Sequence, residues 1–423
     1  MMSTDTQHTH PLTGDAIIGT TQRWPFLPLL VIAWFGAGIV NGAIVGASLP
    51  KLLTLLDEST KETNLAIVST VGGIVVMLAT PLMGRLSDRT TLRMGMRKPW
   101  YLGGIIVGTI GCALLAVATS VPAIVLGWVV VQLGYGAVQM ANHTLLADQV
   151  PARIRARVSA AVGVSTGIAT IVATAVVAAL PINASWMWFA VPGVLGMITV
   201  LPMLFGYRDA VRTDHPAPLR AADLVSTYWL HPGRYRDFAW AWISRFFMTM
   251  SIFSISLFLF FLIMDTLGYT AEEAGGVQTL ALTCFFVGNI FATVLFGWLS
   301  DRLGRRKGII WLSGLCSAAG IVVLMTSNGM QGFLVGMAIV GFAQGAYIAV
   351  DVALMTEVLP SRKDAGKDLG IVALAYQLPQ VIAPVIAATV IALAGGSYTG
   401  LFAFSIVCSA LGGLTIIPVR GVR

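Results

Sequence analysis

Charged side chains are scarce in this chain. Asp, Glu, Lys and Arg make up 11% of its 423 residues, whereas soluble domains carry roughly a quarter. Because 57% of the residues are apolar, too few charges remain to cover the surface of a soluble protein of this size. The composition therefore excludes an ordinary soluble domain and indicates a chain surrounded by lipid.

Residues that would form an enzyme site are scarce too. The four cysteines all lie within apolar runs and lack the spacing of a disulfide framework or metal site: Cys112, Cys284, Cys316 and Cys408. The five histidines are scattered: His8, His10, His143, His215 and His231. We therefore expect no enzyme, no metal and no cofactor. The sequence has no P-loop motif, which argues against direct ATP drive, and no clustered basic and aromatic surface for nucleic acid.

Apolar runs of about 20 residues, long enough to cross ~30 Å of hydrocarbon as helix, recur along the chain. Each run is continuous rather than alternating, which favours helices over a β-barrel. We count twelve runs: 26–50, 64–84, 99–119, 121–147, 158–180, 185–206, 237–264, 275–298, 308–327, 331–357, 367–394 and 398–418. The sequence therefore predicts an all-α integral membrane protein with twelve transmembrane helices.

Basic residues are distributed unevenly around these runs. Of 26 Lys and Arg, 23 lie in the two termini, the central segment or the loops that follow even-numbered runs. Lys51 and Lys61 lie on the other side, and Arg245 lies within a run. The positive-inside rule then predicts cytoplasmic N- and C-termini in the cell membrane. Residues 1–25 show no signal-peptide pattern and are interpreted as a cytoplasmic tail.

A short motif occurs twice, about half the chain apart. The sequence GRLSDR at 84–89 returns as GWLSDR at 297–302, 213 residues later. The basic clusters that follow, at 95–98 and 304–307, are 209 residues apart, and this offset also relates Asp148 to Glu357. One register broken by one short insertion indicates a duplication. We therefore predict two homologous six-helix halves, 26–206 and 237–418, joined by a basic cytoplasmic linker at 207–236 and followed by a cytoplasmic C-terminus at 419–423.

Two six-helix halves with this doubled loop motif resemble the major facilitator superfamily. The segment Ser87–Arg89 followed by Gly95–Trp100 is similar to the corresponding loop of sucrose-type and glycoside–pentoside–hexuronide symporters, although Met96 replaces the usual arginine. The resemblance implies a secondary transporter working by alternating access, with proton-coupled uptake of a sugar or glycoside. The alternative is proton-coupled efflux of amphipathic small molecules, which the same fold supports.

The resemblance also implies a cytoplasmic latch. In this family the loop carboxylate faces the N-terminus of a neighbouring helix, and the loop arginine reaches the carboxylate that ends helix 4 or helix 10. The residues at these positions are Asp88, Arg89 and Asp148, mirrored by Asp301, Arg302 and Glu357. The alternative is a generic basic loop whose exposed ion pairs contribute little.

The resemblance implies a substrate path lined by helices 1, 4, 7 and 10, and polar residues on helices 1, 4, 10 and 11 are the candidates for binding. Those of helix 4 step by three, four and three, and on helix 10 Gln344, Tyr347 and Asp351 step by three and four, so each set shares one face. The candidates are Trp34, Asn41, Gln132, Tyr135, Gln139, Asn142, Gln344, Tyr347, Tyr376, Gln377 and Gln380. Amide and aromatic side chains suit a sugar-like ligand. The alternative is that these residues only hydrogen-bond helix to helix.

Two charges lie within the predicted membrane region at similar depth. Arg245 is roughly 13 Å and Asp351 roughly 12 Å from the cytoplasmic end of its helix, at about 1.5 Å per residue. We expect them to pair, with Asp351 taking the coupling proton when the pair separates. The alternative is a permanent structural ion pair, and His143 is a second titratable candidate. The expected partners are therefore a small molecule, a proton and the bilayer, with the protein acting as a monomer.

Overall fold

The computed structural model of this chain describes residues 26–209, 211, 235–304, 306–357 and 365–419. These residues form helices and connecting loops, with no strand among them. The predicted N-terminal tail, most of the linker and the last four residues lie outside the described part of the chain. So do His8, His10, His215 and His231.

Twelve helices, α1 to α12, run through the described residues, and each predicted apolar run lies on one of them. Their bounds are Phe26–Leu56, Lys61–Ser87, Lys98–Ala116, Val121–Gln149, Ala152–Ala179, Met187–Gly206, Arg236–Leu267, Ala274–Leu303, Arg306–Thr326, Met330–Glu357, Ala365–Leu393 and Thr399–Leu414. Eleven of them are long and apolar enough to cross a membrane. Helix α12 has 16 residues and is shorter, so the twelfth crossing stays a prediction.

Helix α1 changes into a π-helical turn at Ile44–Ser48. Such a turn disturbs the regular backbone hydrogen bonding and often marks a functional position. Here the Gly46 carbonyl accepts a hydrogen bond of 2.6 Å from Gln278 Nε2 of α8. Ser48 Oγ donates a bond of 2.7 Å to the Trp188 carbonyl of α6. The turn therefore attaches α1 to helices from both parts of the chain.

The packing of helices α1–α6 recurs in helices α7–α12. In the first six-helix set, α4 packs against α2 and α3, while α1 packs against α5 and α6. In the second set, α10 packs against α8 and α9, while α7 packs against α11 and α12. The two sets meet where α2 packs against α11 and α5 against α8. The exact bounds of the two homologous halves, 26–206 and 237–418, stay a prediction.

The bundle has two ends, which we name after residues on them. The Lys61 end carries the α1–α2, α3–α4, α5–α6, α7–α8, α9–α10 and α11–α12 loops, and the Asp88 end carries the others. Contacts between the two sets run from the middle of the bundle to the Lys61 end. They include Thr70 Oγ1 donating to the Val381 carbonyl at 3.1 Å and Lys61 Nζ lying 2.7 Å from Asp265 Oδ1. The two sets are thus joined at the Lys61 end.

Candidate functional site

A carboxylate is held from two sides in the interior of the second set. Asp351 of α10 lies 3.0 Å through Oδ2 from Arg245 Nη1 of α7. Its other oxygen, Oδ1, accepts a hydrogen bond of 2.6 Å from the Tyr347 hydroxyl, one turn earlier on α10. Tyr347 and Asp351 are buried, at 4% and 6% exposure. The structure therefore brings these three predicted site residues together.

The burial of this group gives it chemical consequences. A charge within the membrane is costly unless it is paired, and here each carboxylate oxygen has a donor. Removing one partner of a buried pair typically costs about 3–5 kcal/mol, because the other charge is left uncompensated. Any movement of Arg245 away from Asp351 would thus favour a proton on the carboxyl group.

Aromatic rings from α7 and α11 lie beside this group. Tyr376 packs edge-to-face on Phe253, with ring centroids 5.5 Å apart, and Gln380 is within hydrogen-bonding reach of its hydroxyl. Further along α7, the rings of Trp242 and Phe246 stack at 5.6 Å. The predictions from sequence missed the three α7 rings. Their spacing of four and seven residues places them on one helix face and could have revealed them.

A second polar group lies between α1 and α4 of the first set. The rings of Trp34 and His143 meet edge-to-face, with centroids 4.5 Å apart. Among the described residues, Trp34 Nε1 and Gln139 Oε1 are buried without a hydrogen-bond partner. Unsatisfied buried polar atoms are rare, and each calls for an explanation such as a missing ligand or water. These two atoms are therefore available to a bound molecule.

Other predicted site residues of the first set have partners within that set. The Tyr101 hydroxyl of α3 donates to Asn142 Oδ1. Tyr135 is fully buried, and its hydroxyl lies 3.5 Å from the Gly193 carbonyl of α6. Asn41 Nδ2 donates to the Ala37 carbonyl of its own helix at 3.1 Å. Helix 4 thus presents Tyr135 and Asn142 to α3 and α6, and their part in ligand binding stays a prediction.

The remaining amides of the predicted site are half-buried. Gln132 lies on α4, Gln344 on α10 and Gln377 on α11. Their positions on these helices agree with the sequence pattern. Their contact with a ligand stays a prediction.

At the Asp88 end, an arginine that the sequence analysis did not name joins the loop to α4. Arg97 Nη2 lies 2.6 Å from Asp88 Oδ1 and 3.1 Å from Asp148 Oδ2. Its Nη1 donates to Ser87 Oγ at 2.8 Å. The sequence assigned this bridge to Arg89. Arg97 makes these contacts because it directly precedes α3 and is buried between α2 and α4, with 5% exposure, and the role of Arg89 stays a prediction.

The N-terminus of α3 is occupied by a carboxylate, as expected, but from a different residue. Asp209 Oδ2 accepts hydrogen bonds from the backbone N–H groups of Arg97 at 2.6 Å and Lys98 at 2.8 Å. Negative charge is favourable there. Gly95 makes room for it, since its φ is +105° and a Cβ would lie 2.3 Å from Asp209 Cβ. The family resemblance implies this capping role for Asp88, which stays a prediction.

The mirrored loop of the second set is described in part. Arg302 lies over the Trp298 ring, with its guanidinium carbon 5.3 Å from the ring centroid. Asp301 is exposed. Lys307 Nζ donates to the Ile417 carbonyl at 3.0 Å, which ties the start of α9 to the end of α12. The side chain of Glu357 lies outside the described part of the chain, so its predicted role in a latch is not tested.

Two loop carboxylates at the Lys61 end accept local hydrogen bonds. Those from Ser59 and Thr60 lower the pKa of Asp57, which is exposed. Hydrogen bonds from Thr270 lower the pKa of Glu273 in the α7–α8 loop in the same way. Both carboxylates therefore stay ionised, and each fixes the turn that leads into the next helix.

Comparison with protein families supplies the context for this geometry. The model described as Major Facilitator Superfamily matches residues 26–279 and 271–422. A facilitated glucose transporter member 10 of Danio rerio is 39% identical over 66 residues, covering 16% of this chain and 13% of the relative. A probable 4-methylmuconolactone transporter of Cupriavidus pinatubonensis is 34% identical over 146 residues, covering 33% and 32%.

A triacylglyceride transporter of Mycobacteroides abscessus is 32% identical over 140 residues, covering 33% of this chain and 26% of the relative. In all three cases the matched segment spans no more than about a third of the relative's length. Each match therefore shows similarity over one segment of the chain, and it does not identify the substrate of this protein.

Proposed function

Because this chain belongs to the major facilitator superfamily, we propose that it is a secondary transporter that takes up a sugar or glycoside together with protons. The family and the transporter names of the relatives indicate transport rather than enzymatic catalysis. The observation that carries the proposal is the buried group of Arg245, Asp351 and Tyr347. A paired carboxylate inside a membrane is a common element of proton relays.

The coupling step follows from the geometry of this group. In the observed state Asp351 accepts from Arg245 and Tyr347 and remains ionised. When Arg245 turns away, to a ligand or with the movement of α7, Asp351 binds a proton from water on the accessible side. Return of Arg245 expels that proton on the opposite side. The direction of transport then follows the proton gradient.

Alternating access requires the two six-helix sets to separate at one end at a time. In the observed state the sets are joined at the Lys61 end by contacts such as Lys61–Asp265 and Gln278–Gly46. The packing of α2 on α11 and of α5 on α8 provides the two seams along which the sets can rock. If the positive-inside prediction holds, this state is closed toward the outside of the cell membrane.

Polar atoms of the first set and aromatic rings of the second support a neutral polyhydroxyl ligand. Trp34 Nε1 is a free donor and Gln139 Oε1 a free acceptor in the first set. Tyr376 and Phe253 offer ring faces in the second set. Hydroxyl groups can pair with the former, while the apolar face of a sugar ring can pack on the latter. We expect one monomer to carry the complete site.

The second candidate function is proton-coupled efflux of amphipathic small molecules. The three α7 rings, Trp242, Phe246 and Phe253, favour it because they line one helix face next to Arg245. The relatives named above include a glucose transporter and a triacylglyceride transporter, so similarity supports either class.

Uptake measurements decide between these functions. Cells that produce the protein would be given a panel of labelled sugars and glycosides, with and without a protonophore. We expect accumulation of at least one sugar that collapses when the protonophore is added. Absence of sugar uptake, together with proton-dependent exclusion of amphipathic dyes, would favour the second candidate.

A further inference from the structure

Four side chains close the Lys61 end between the two six-helix sets. Lys61 and Glu62 begin α2, Asp265 lies in the last turn of α7, and Tyr398 directly precedes α12. Lys61 Nζ donates to Asp265 Oδ1 at 2.7 Å. The Tyr398 hydroxyl lies 2.6 Å from Asp265 Oδ2 and 2.9 Å from Glu62 Oε1. We call this group the Tyr398 bridge.

The donors of the Tyr398 bridge are too few for its acceptors. A tyrosine hydroxyl carries a single proton, so it can donate to Asp265 or to Glu62 but not to both at once. Lys61 Nζ is 3.9 Å from Glu62 Oε1, which is too far for a hydrogen bond. With both carboxylates ionised, one of the two short oxygen–oxygen contacts of Tyr398 has no proton between its atoms.

The Tyr398 bridge also has less positive than negative charge. Two carboxylates face one ammonium group, which leaves one excess negative charge. Lys61 and Tyr398 are each only 4% exposed. The Glu62 and Asp265 side chains are 19% and 30% exposed, so the excess charge is only partly hydrated. A single additional proton removes the excess charge and fills the open contact. Glu62 then donates to Tyr398, Tyr398 donates to Asp265, and Asp265 accepts from Lys61.

We propose that the closed Lys61 end binds one proton, held between Glu62 and Tyr398, and that this proton leaves to water when the end opens. The four side chains come from both six-helix sets, so opening must break the bridge. Once separated, Glu62 and Asp265 are hydrated individually and no longer need a shared proton. The proposal concerns a site other than Asp351 and does not depend on the transported molecule.

Other charged and aromatic groups lie around the bridge and have contacts of their own. Glu58 and Tyr269 line a cavity of about 400 Å³ together with Asp265, which gives water and protons a route to the bridge. Lys61 also lies 5.4 Å from the Phe261 ring centroid. Lys51, on α1, lies 4.5 Å from the Trp188 ring centroid and interacts electrostatically with Glu272. None of these groups supplies a hydrogen bond to Glu62.

The proposal fixes the sign of a pH effect. Because the closed state holds one proton more than the open state, low pH favours closure. As the pH rises through the range in which the closed state loses this proton, the ratio of open to closed protein increases, by up to ~10-fold per pH unit for one proton.

Distance measurements across the Lys61 end test this directly. Asn183 in the α5–α6 loop and Asn328 in the α9–α10 loop are exposed and belong to different six-helix sets. Both would be changed to cysteine in a variant without the four native cysteines and then spin-labelled. The purified full chain in lipid nanodiscs, without substrate, should show a short and a long distance. We expect the long population to grow with pH.

Variants identify the proton site. Glu62→Gln places an amide donor where the protonated carboxyl group would be, so the short distance should dominate and its pH dependence should disappear. Tyr398→Phe should populate the long distance at every pH. Glu58→Gln, the matched control on the nearby cavity, should keep the pH dependence of the parent.

The variant Asp351→Asn lacks the proposed coupling site, so the pH dependence that remains in it belongs to the Tyr398 bridge. The proposal would be overturned if the ratio of the long to the short distance in the parent protein did not change with pH. An unchanged pH dependence of this ratio in Glu62→Gln would overturn it too. Complete loss of this pH dependence in Asp351→Asn would place the proton at Asp351 and overturn the proposal as well.

Discussion

Arg97 Nη2 lies 2.6 Å from Asp88 Oδ1, so the loop between α2 and α3 is closed by an ion pair within itself. The same guanidinium reaches Asp148 at the end of α4, at 3.1 Å. Arg97 is buried, whereas the two carboxylate side chains are 57% and 49% exposed. One arginine thus joins the ends of three helices at the Asp88 end, where the resemblance to the family predicts a latch.

The Arg97 bridge should affect conformational switching more than binding. We expect Arg97→Ala to slow transport by about three- to tenfold, since the carboxylates are half exposed and the pairs together are worth only about 1 kcal/mol. Equilibrium binding of the substrate should stay unchanged. Arg93→Ala is the matched control, because Arg93 is an exposed arginine of the same loop. Transport rates and binding would be measured on the same preparations. A normal rate in a correctly inserted Arg97→Ala variant would show that the bridge is no latch.

The orientation of the bundle is testable with single cysteines. If the positive-inside prediction is right, the Lys61 end faces the outside. Glu273→Cys should then react with an impermeant thiol reagent added to intact cells, while Arg93→Cys should not. Both positions are exposed, so access to the reagent is comparable. Labelling of Arg93→Cys alone would mean that the orientation is reversed.

Free polar atoms between α1 and α4 should contribute to ligand affinity. Trp34→Phe removes the unpartnered Nε1, and Gln139→Met removes the unpartnered Oε1, with little change in volume. Each should weaken binding by about 1 kcal/mol, or roughly fivefold, as expected for one lost hydrogen bond. Thr389→Val serves as control, since Thr389 Oγ1 bonds only the Val385 carbonyl of its own helix at 2.7 Å. Isothermal titration or a binding competition would give the affinities. Equal affinities in all variants would place the ligand elsewhere.

The helices could be predicted from the sequence because about 20 apolar residues in a row leave few alternatives in lipid. The pairing of Arg245 with Asp351 could be predicted as well, since two isolated charges at similar depth require partners. The bridging contacts of Arg97 could not. They depend on the turn at Gly95, whose positive φ directs the chain back toward α4.

Helical periodicity defines a shared face but does not identify the neighbour of that face. Tyr135 and Asn142 share a stripe with Gln139, yet their hydroxyl and amide groups contact α6 and α3. The Tyr398 bridge could likewise not be predicted from the sequence, because Glu62 and Tyr398 are separated by 336 positions and belong to no motif. Such contacts follow from the packing of the two six-helix sets rather than from local sequence.

The last prediction concerns Asp351 as carrier of the coupling proton. Asp351→Asn keeps the shape of the side chain and mimics permanent protonation. We therefore expect proton-driven accumulation of substrate to disappear, while exchange of labelled for unlabelled substrate continues. Exchange persists because a loaded carrier can still rock between states without changing its protonation. Uptake and exchange would be compared in vesicles with an imposed pH gradient.

A permanent structural ion pair predicts that Asp351→Asn still accumulates substrate, and stability measurements show separately what the pair contributes to folding. Arg245→Ala leaves the buried carboxylate without its counter-charge and should lower stability by about 3–5 kcal/mol. The double variant Arg245→Ala/Asp351→Asn should regain much of that loss, because no charge remains buried. Thermal unfolding in detergent would measure both. If Asp351→Asn still accumulates substrate and remains sensitive to a protonophore, Asp351 carries no coupling proton. His143, which packs on Trp34 between α1 and α4, is then the group to replace next.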